Sequence, residues 1–518
     1  MMVSLIKRNV SLFRCCIVIF LGILTVITYF QNRHINTAYR RIFEIKSNRL
    51  FQTTIECIGE SYHQSCLYRN LYFVNETFMI LTVNDTEWPS FYDVRTNAFA
   101  FSSTKPKKHE FKNYVDLENF VRQIARPKII PSLTVFFGQY WHYNIGHALF
   151  DGLYPAFVAL IRFAPRHLQP FRILGDLAEC KNCWSEDVYR RFAGLGLIKF
   201  NIFKKMSRNQ WFLFDELVMG SGTLCQRCTQ PNFQLYGGIA LNGSRLFRDR
   251  MYRQHGLIPS IVQHRSRNRT LNALIIHNKR FTKTDTKAIE EAMKEINQSK
   301  FPLINVTYIY YDRIEAQTSN VTSLPEFIDN NFIAQLKLIQ QMDIHISGPG
   351  TGQMYQTFLS DGAVHINIGG LRGDKNASYT SYMEQYVTSG TPYIKGLYYP
   401  MNERAKGIEK TEVIRLIQQA AQMIINGFDL PVDPYENLAV DGKLFIEMCQ
   451  RDREFCSMVT TRTSNFPFIC VHLWLEDFVH EYRQWSIDGY REKGKTIKCS
   501  FNHTLLRELR NKYEILWP

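Results

Sequence analysis

LNALIIH at 271–277, NVTYIYY at 305–311, DIHIS at 343–347 and AVHINI at 363–368 are the runs whose reading decides the fold. Each is short and rich in apolar or β-branched residues, the signature of a strand. Between them lie helical patterns at 285–296 and 325–342. In the longer one Ile328, Phe332, Leu336 and Ile339 recur at steps of four, four and three, the spacing of one buried face. A further short helix is expected at 352–359. Strands alternating with helices predict a parallel sheet with helices on both faces. In such sheets ligands bind outside the carboxyl ends of the strands, which directs attention to the loops after His277 and Ile346.

Working outward, 130–220 mixes apolar runs such as LTVFF at 133–137 with helical patterns and predicts another α/β lobe. The polar, basic QHRSRNR at 263–269 reads as a hinge between the two lobes. No internal repeat or low-complexity tract is present. At 518 residues, 45% apolar and 21% charged, the chain is long enough to bury a large core in more than one lobe.

Near the start, CCIVIFLGILTVITYF at 15–30 carries no charge and follows Lys7, Arg8 and Arg14. This reads as a membrane anchor with a cytosolic N-terminus. A span needs about 20 apolar residues, so the core borrows from Val10 to Phe13 or sits in a thin bilayer. Arg33, Arg40 and Arg41 on the far side weaken the charge asymmetry. A cleaved signal peptide is the alternative, against which no small-x-small cleavage site follows the run. The expected order is a cytosolic tail (1–14), a transmembrane helix (15–30), a stem (31–55), an N-terminal lobe (56–265), a C-terminal lobe (266–430) and a cysteine-containing region (431–518).

Asn75, Asn84, Asn242, Asn268, Asn297, Asn305, Asn320, Asn376 and Asn502 all head Asn-x-Ser/Thr sequons without proline at x, in keeping with a glycosylated lumenal body. In that oxidising compartment disulfides are the default fate of cysteine. Cys180-x-x-Cys183 and Cys225-x-x-Cys228 also match zinc-ribbon spacing, but the gap between the pairs is longer than usual, and disulfides are favoured. Cys57, Cys66, Cys449, Cys456, Cys470 and Cys499 read as staples whose pairing the spacing leaves open. The net charge of +15 is spread along the chain. Scattered cations in a lumenal body argue against nucleic acid and leave a sugar nucleotide, an anionic glycan, or no ligand at all as readings of the surplus.

Three clusters carry chemistry. Ser347-Gly-Pro-Gly-Thr-Gly352 joins a strand to a helix and offers free amides at a helix start, where an anion is favoured. It lacks the Gly-Lys-Ser/Thr of a P-loop and the spacing of a dinucleotide fingerprint. His277-Asn-Lys-Arg280 leaves its strand with cations suited to a diphosphate, Lys279 and Arg280. In the first lobe, Trp141-His-Tyr-Asn-Ile-Gly-His-Ala-Leu-Phe-Asp151 sets His147 and Asp151 four apart on one helix face, where a carboxylate orients an imidazole for general-base work. His142 adds a second ring. A structural turn, a solvated basic turn, and a structural hydrogen bond or metal half-site are the respective bland readings. No Asp-x-Asp follows an apolar strand, and no metal site is expected.

Together and in this order, the clusters resemble glycosyltransferase family 61, which includes plant xylan-decorating enzymes and animal O-linked N-acetylglucosaminyltransferases of the endoplasmic reticulum. The resemblance covers roughly 130–370. It rests on Asn144-x-x-His147-x-x-x-Asp151-x-x-x-Pro155, Lys279-Arg280, Phe332-x-x-Gln335, Ser347-Gly-Pro-Gly-Thr-Gly-Gln353 with Phe358-Leu359, and Cys66-Leu-Tyr-Arg-Asn-Leu-Tyr72. The family loop usually reads His-Gly-Ala-Gly-Leu-Thr-Asn. Here Ser347 stands at the histidine position, and His345 lies two residues earlier on the same strand face.

The resemblance implies two Rossmann-like lobes of the B type behind the N-terminal helix, and a type II Golgi or endoplasmic reticulum enzyme. It implies transfer of a sugar with inversion from a nucleotide sugar, uridine-linked N-acetylglucosamine or a pentose, to a glycan or protein hydroxyl, with no cofactor or essential metal. His147 and Asp151 are the expected catalytic pair, with His142 and Asn144 on the acceptor side. His277, Lys279, Arg280, His345, Ser347, Gly348, Gly350, Thr351 and Gly352 are expected to hold the donor. The competing readings are a noncatalytic lumenal sugar-binding or scaffold protein of the same fold and a transferase of another two-lobed family, such as a fucosyltransferase.

Overall fold

Among the described residues two large sheets carry the chain, one mixed and one wholly parallel, with three two-stranded pairs besides. The computed structural model describes residues 50–58, 64–83, 94–95, 103–139, 142–163, 165–180, 184–220, 243–258, 269–278, 281–299, 303–309, 327–348, 351–369, 371–372, 377–378, 393–400, 406–429, 447, 451–452, 490–492, 495–497 and 502–514. The apolar run at 15–30 lies outside them. Among the described residues no helix is long and apolar enough to cross a membrane.

The first sheet is built from β1 (Thr54–Ile58), β2 (Ser65–Val74), β3 (Thr77–Val83), β4 (Lys107–Phe111), β5 (Lys128–Gln139), β6 (Phe171–Leu177), β7 (Gly194–Lys199) and β8 (Phe212–Met219). Its order is β4-β3-β2-β8-β5-β6-β7, with β1 beside β2. The run from β8 to β7 is parallel, as the alternation of strands and helices predicts. β3 and β4 pair parallel too, and only β2 runs against its neighbours β1, β3 and β8. Between β2 and β3, Asn75 and Glu76 both take positive φ (45° and 62°). Two left-handed residues in a two-residue loop make a tight hairpin, and a hairpin is necessarily antiparallel. A disulfide joins Cys57 on β1 to its register partner Cys66 on β2. Cys180 is disulfide-bonded as well, which takes it out of any zinc ribbon.

Helices α1 (Tyr114–Asn119), α2 (Tyr154–Arg162), α3 (Trp184–Ala193) and α4 (Phe200–Met206) belong to this lobe, and α5 (Gly243–Gln254) follows it. The second sheet contains β9 (Leu271–Ile276), β10 (Ile304–Ile309), β11 (Ile344–Ser347), β12 (Ala363–Asn367) and β13 (Ile394–Tyr398). Helices α6 (Lys283–Gln298), α7 (Phe327–Gln340) and α8 (Lys410–Asn426) and a 3-10 helix (Thr351–Phe358) connect or flank these strands. All four pairings are parallel and the order is β10-β9-β11-β12-β13. Numbered within this sheet, that is 2-1-3-4-5, the doubly wound order in which the connections reverse direction between the first and third strands.

Each face of the second sheet has its own core. Ile344, Ile346, Val364 and Ile366 meet Ile289, Ala292, Val413 and Leu416 of α6 and α8. The opposite face joins a core that runs into the first lobe, through Phe332, Leu336 and Phe358 to Phe247, Phe150 and Phe157. At that junction Arg248 of α5, 2% exposed, donates to the Leu359 carbonyl (2.9 Å) and to Asp361 (2.7 Å), and lies over the Tyr393 ring. Burial pulls its pKa down, but Tyr393, Asp249 and Asp361 together raise it beyond the ordinary arginine value.

Candidate functional site

The switch point of the second sheet lies between the carboxyl ends of β9 and β11, where Ile276 pairs with Ser347. His277 leaves β9 there, and Gly348 leaves β11. His277 accepts or shares a hydrogen bond between Nδ1 and the Tyr308 hydroxyl (2.7 Å). After it the chain passes Asn278 and returns at Phe281, and α6 starts on a capping box. Thr282 Oγ1 accepts from the Asp285 N–H (3.1 Å), and Asp285 Oδ2 accepts from the Thr282 N–H (2.8 Å). The other Asp285 oxygen accepts from the Ile408 N–H, which fixes this corner to the segment before α8.

The two loops touch. A Cβ placed on Gly348 would lie 2.5 Å from Cε1 of Phe281 and 2.9 Å from the Gly369 carbonyl oxygen. Only glycine lets the ring of Phe281 close on the backbone there. Gly352 is different, because its Cβ would meet Ile276 and Ser347 at ordinary contact, 3.6 and 3.7 Å. Lys279, Arg280 and Gly350 lie outside the described residues. Thr351 opens the 3-10 helix, and its side chain lies outside the description.

Around this rim is a set of buried neutral polar groups. Ser347 Oγ, both amide atoms of Gln353, and Asn367 Nδ2 have no hydrogen-bond partner among the described residues, although all three residues are at most 1% exposed. Ser347 and Asn367 are register partners on β11 and β12, and Gln353 sits in the helix that follows the glycine loop. One pair further in, His345 and His365 face each other Nδ1 to Nδ1 at 2.9 Å, and both Nε2 atoms are unpartnered. Burial holds both rings neutral. His365 is pushed down to about 3, and His345 falls well below the usual imidazole value through burial and the presence of His365. His345 Nδ1 is thus engaged with His365, two residues along β11 from Ser347.

In the first lobe the predicted helix carrying His147 and Asp151 is a π turn, His147–Leu153, running directly into α2. Pro155 explains the widening. It has no N–H for the carbonyl of Asp151, and its ring would collide with that carbonyl in a regular helix. The carbonyls of His147 and Ala148 accept from Gln139 Nε2 and the Tyr189 hydroxyl, each at 2.9 Å. Such single π turns recur at functional sites, because they displace a side chain without ending the helix. His147 is half-buried, and the side chain of Asp151 lies outside the description.

Asn144 starts this helix, its Oδ1 accepting from the Gly146 N–H (2.9 Å). His142 is fully buried, with Nδ1 on the Ser185 hydroxyl (3.0 Å) and Nε2 on the Ala178 carbonyl (2.9 Å). Both of its nitrogens serve the fold. The π turn leans on the second lobe, with the Phe150 ring 6.5 Å from that of Phe358 in the 3-10 helix. Trp184, whose Nε1 donates to the Tyr143 carbonyl, stacks on Phe332 of α7. The π turn and the 3-10 helix that follows the glycine loop thus share one core.

Phe281, His365, Gln353 and Asn367 were not among the expected site residues. The alternation in AVHINI placed His365 and Asn367 on one strand face, the one signal that paired them. Among the described residues no group of three or more His, Cys, Asp or Glu is placed to hold a metal ion. No protein-family model matches the chain, and a search of curated proteins returns no significant match.

Proposed function

We propose that the chain is a glycosyltransferase of the secretory pathway, binding a nucleotide sugar at the rim between β9 and β11 and passing the sugar to a hydroxyl on a glycan or protein. The observation that carries this reading is the placement of the His277 and glycine loops side by side at the switch point of a 2-1-3-4-5 sheet. Ligands of such sheets sit in that position. The unpartnered Ser347, Gln353 and Asn367 groups suit the hydroxyls or base of a donor, since buried polar atoms demand partners.

In the proposed reaction His147, oriented by Asp151, takes the proton from the acceptor hydroxyl. The hydroxyl oxygen bonds to the anomeric carbon as the bond from that carbon to the phosphate oxygen breaks, and the configuration inverts. Lys279, Arg280 and the amides following Pro349 receive the charge of the departing diphosphate. The two-lobed B-type architecture and the membrane anchor belong to this proposal.

The second reading, a noncatalytic sugar-binding protein of the same fold, is favoured by Ser347 standing where the family loop carries histidine, with the nearby His345 engaged by His365. One experiment separates the two. The purified lumenal body is heated with a panel of nucleotide sugars and then given acceptor. Stabilisation by a uridine diphosphate sugar with release of free diphosphate supports the enzyme. Stabilisation without release supports the binder, and a response confined to guanosine diphosphate sugars points to the fucosyl class. No response to any donor removes the proposal.

A further inference from the structure

Among the described residues, strand β10 is an unpaired edge of the second sheet. Its odd-numbered residues turn inward, since Leu303 O and Ile309 O accept from the Leu271 and His277 N–H groups of the neighbouring chain at 2.9 and 2.8 Å. The polar backbone atoms of even-numbered residues therefore face outward. At Val306 that exposed pair is met by one side chain. Asn297, in the last turn of α6, accepts from the Val306 N–H through Oδ1 (2.7 Å) and donates from Nδ2 to the Val306 carbonyl (3.0 Å).

A two-point bond of this kind uses the Nδ2 hydrogen that lies on the same side as Oδ1. A secondary amide strongly prefers its two carbon substituents trans, so a sugar joined to Nδ2 takes that same position. Asn297 heads a sequon, yet its fold-forming bond and a glycan exclude each other. Asn305 is the opposite case. It is exposed on β10 with Thr307, its sequon hydroxyl, two residues along on the same face and also exposed. Its side chain makes no hydrogen bond among the described residues.

We infer that Asn305 is a site of N-glycosylation in the folded protein and that Asn297, eight residues earlier, is left bare. This rests on the proposed secretory location. The modification joins Asn305 Nδ2 to the anomeric carbon of an oligosaccharide carried on a lipid diphosphate. The bond from that carbon to the phosphate oxygen breaks, the lipid diphosphate leaves with the electron pair, and the amide loses one proton to a base. Glycan and Asn297 together then cover a sheet edge that would otherwise invite pairing with another chain.

Trypsin separates the two sequons, because Lys294, Lys300 and Arg313 bracket EINQSK and FPLINVTYIYYDR. The full-length chain, made in animal cells, is treated with peptide N-glycosidase in heavy-oxygen water, which tags each formerly glycosylated asparagine as aspartate. The expected result is a tag on Asn305 in most molecules and none on Asn297, with Thr307→Ala abolishing the first. Asn297→Ala is expected to leave the glycan count unchanged while lowering the melting temperature. A tag on Asn297, or an untagged Asn305 in a chain tagged at other sequons, overturns the inference and leaves the secretory reading standing. A chain with no tag anywhere overturns both.

Discussion

The ring of Phe281 rests against the α-carbon of Gly348, so the loop after β9 and the loop after β11 are packed as one surface. Gly348→Ala places a methyl 2.5 Å from that ring and 2.9 Å from the Gly369 carbonyl, and backbone cannot yield as a flexible side chain can. Overpacking of this kind costs roughly 1–3 kcal/mol. The variant is expected to melt earlier and to lose any donor-induced stabilisation. Gly352→Ala, with only ordinary contacts, should retain both. Equal melting curves for the two variants would contradict this geometry.

Ser347→Ala tests the idle hydroxyl. A buried hydroxyl without a partner costs about 1–3 kcal/mol of desolvation, so its removal is expected to leave the free protein as stable or slightly more stable. Donor-induced stabilisation should shrink at the same time. A loss of stability in the free protein, read by urea titration, would mean that the hydroxyl has a structural partner.

Stability should depend on pH through His345 and His365. The unfolded rings titrate near the ordinary 6.5, whereas His365 in the fold resists protonation down to about 3 and His345 is depressed in the same direction. Between those values the unfolded chain binds protons that the folded chain does not. The stabilisation is therefore complete above about pH 6.5 and declines as pH falls, by about 1.4 kcal/mol per pH unit per ring. Urea midpoints between pH 7 and pH 5 should drop less steeply for His365→Leu than for the parent chain. Parallel slopes would dispose of the idea.

Arg248 sits at the lobe junction with Asp249 and Asp361 for counter-charges. Arg248→Met strands part of that charge, and breaking such a buried pair costs roughly 3–5 kcal/mol. Arg248→Lys keeps the charge but loses the fork that reaches Leu359 and Asp361 together, and an intermediate loss is expected. Denaturant unfolding of the three proteins gives the ranking.

His147→Ala should abolish general-base assistance in the proposed reaction, lowering turnover about 10²–10⁴-fold with donor binding intact. Asp151→Asn should lower it less and shift the pH profile. Full activity of His147→Ala, measured by diphosphate release, would remove His147 from the chemistry.

The second lobe was legible because its signals are local. The strand expected at 271–277 is Leu271–Ile276, the helix expected at 325–342 is Phe327–Gln340, and Phe332, Leu336 and Ile339 of its stripe are buried. The short helix at 352–359 is present in 3-10 form. Sheet order was not readable, since it depends on which strands neighbour one another in space. The hairpin turning at Asn75 and Glu76, which sets β2 antiparallel to β3, carries no Asn-Gly or Asp-Gly signal. In AVHINI both faces are dry, His365 and Asn367 no less than Val364 and Ile366, as a parallel sheet covered on both sides requires. Of the candidate site, the two loops and the helix carrying His147 were readable as local segments, while the placement of Phe281 and Asn367 depends on long-range packing.

Because Trp184, Phe150 and Phe247 from one half and Phe332 and Phe358 from the other interleave in a single oily seam, the halves are welded rather than jointed. Prising them apart would wet several large rings at about 1.5–3 kcal/mol each. A jaw-like gape of the kind many two-lobed proteins use is therefore costly on this scaffold. On the proposed function, traffic of donor and product would fall instead to the short segments along the strand ends, where Phe281 covers Gly348.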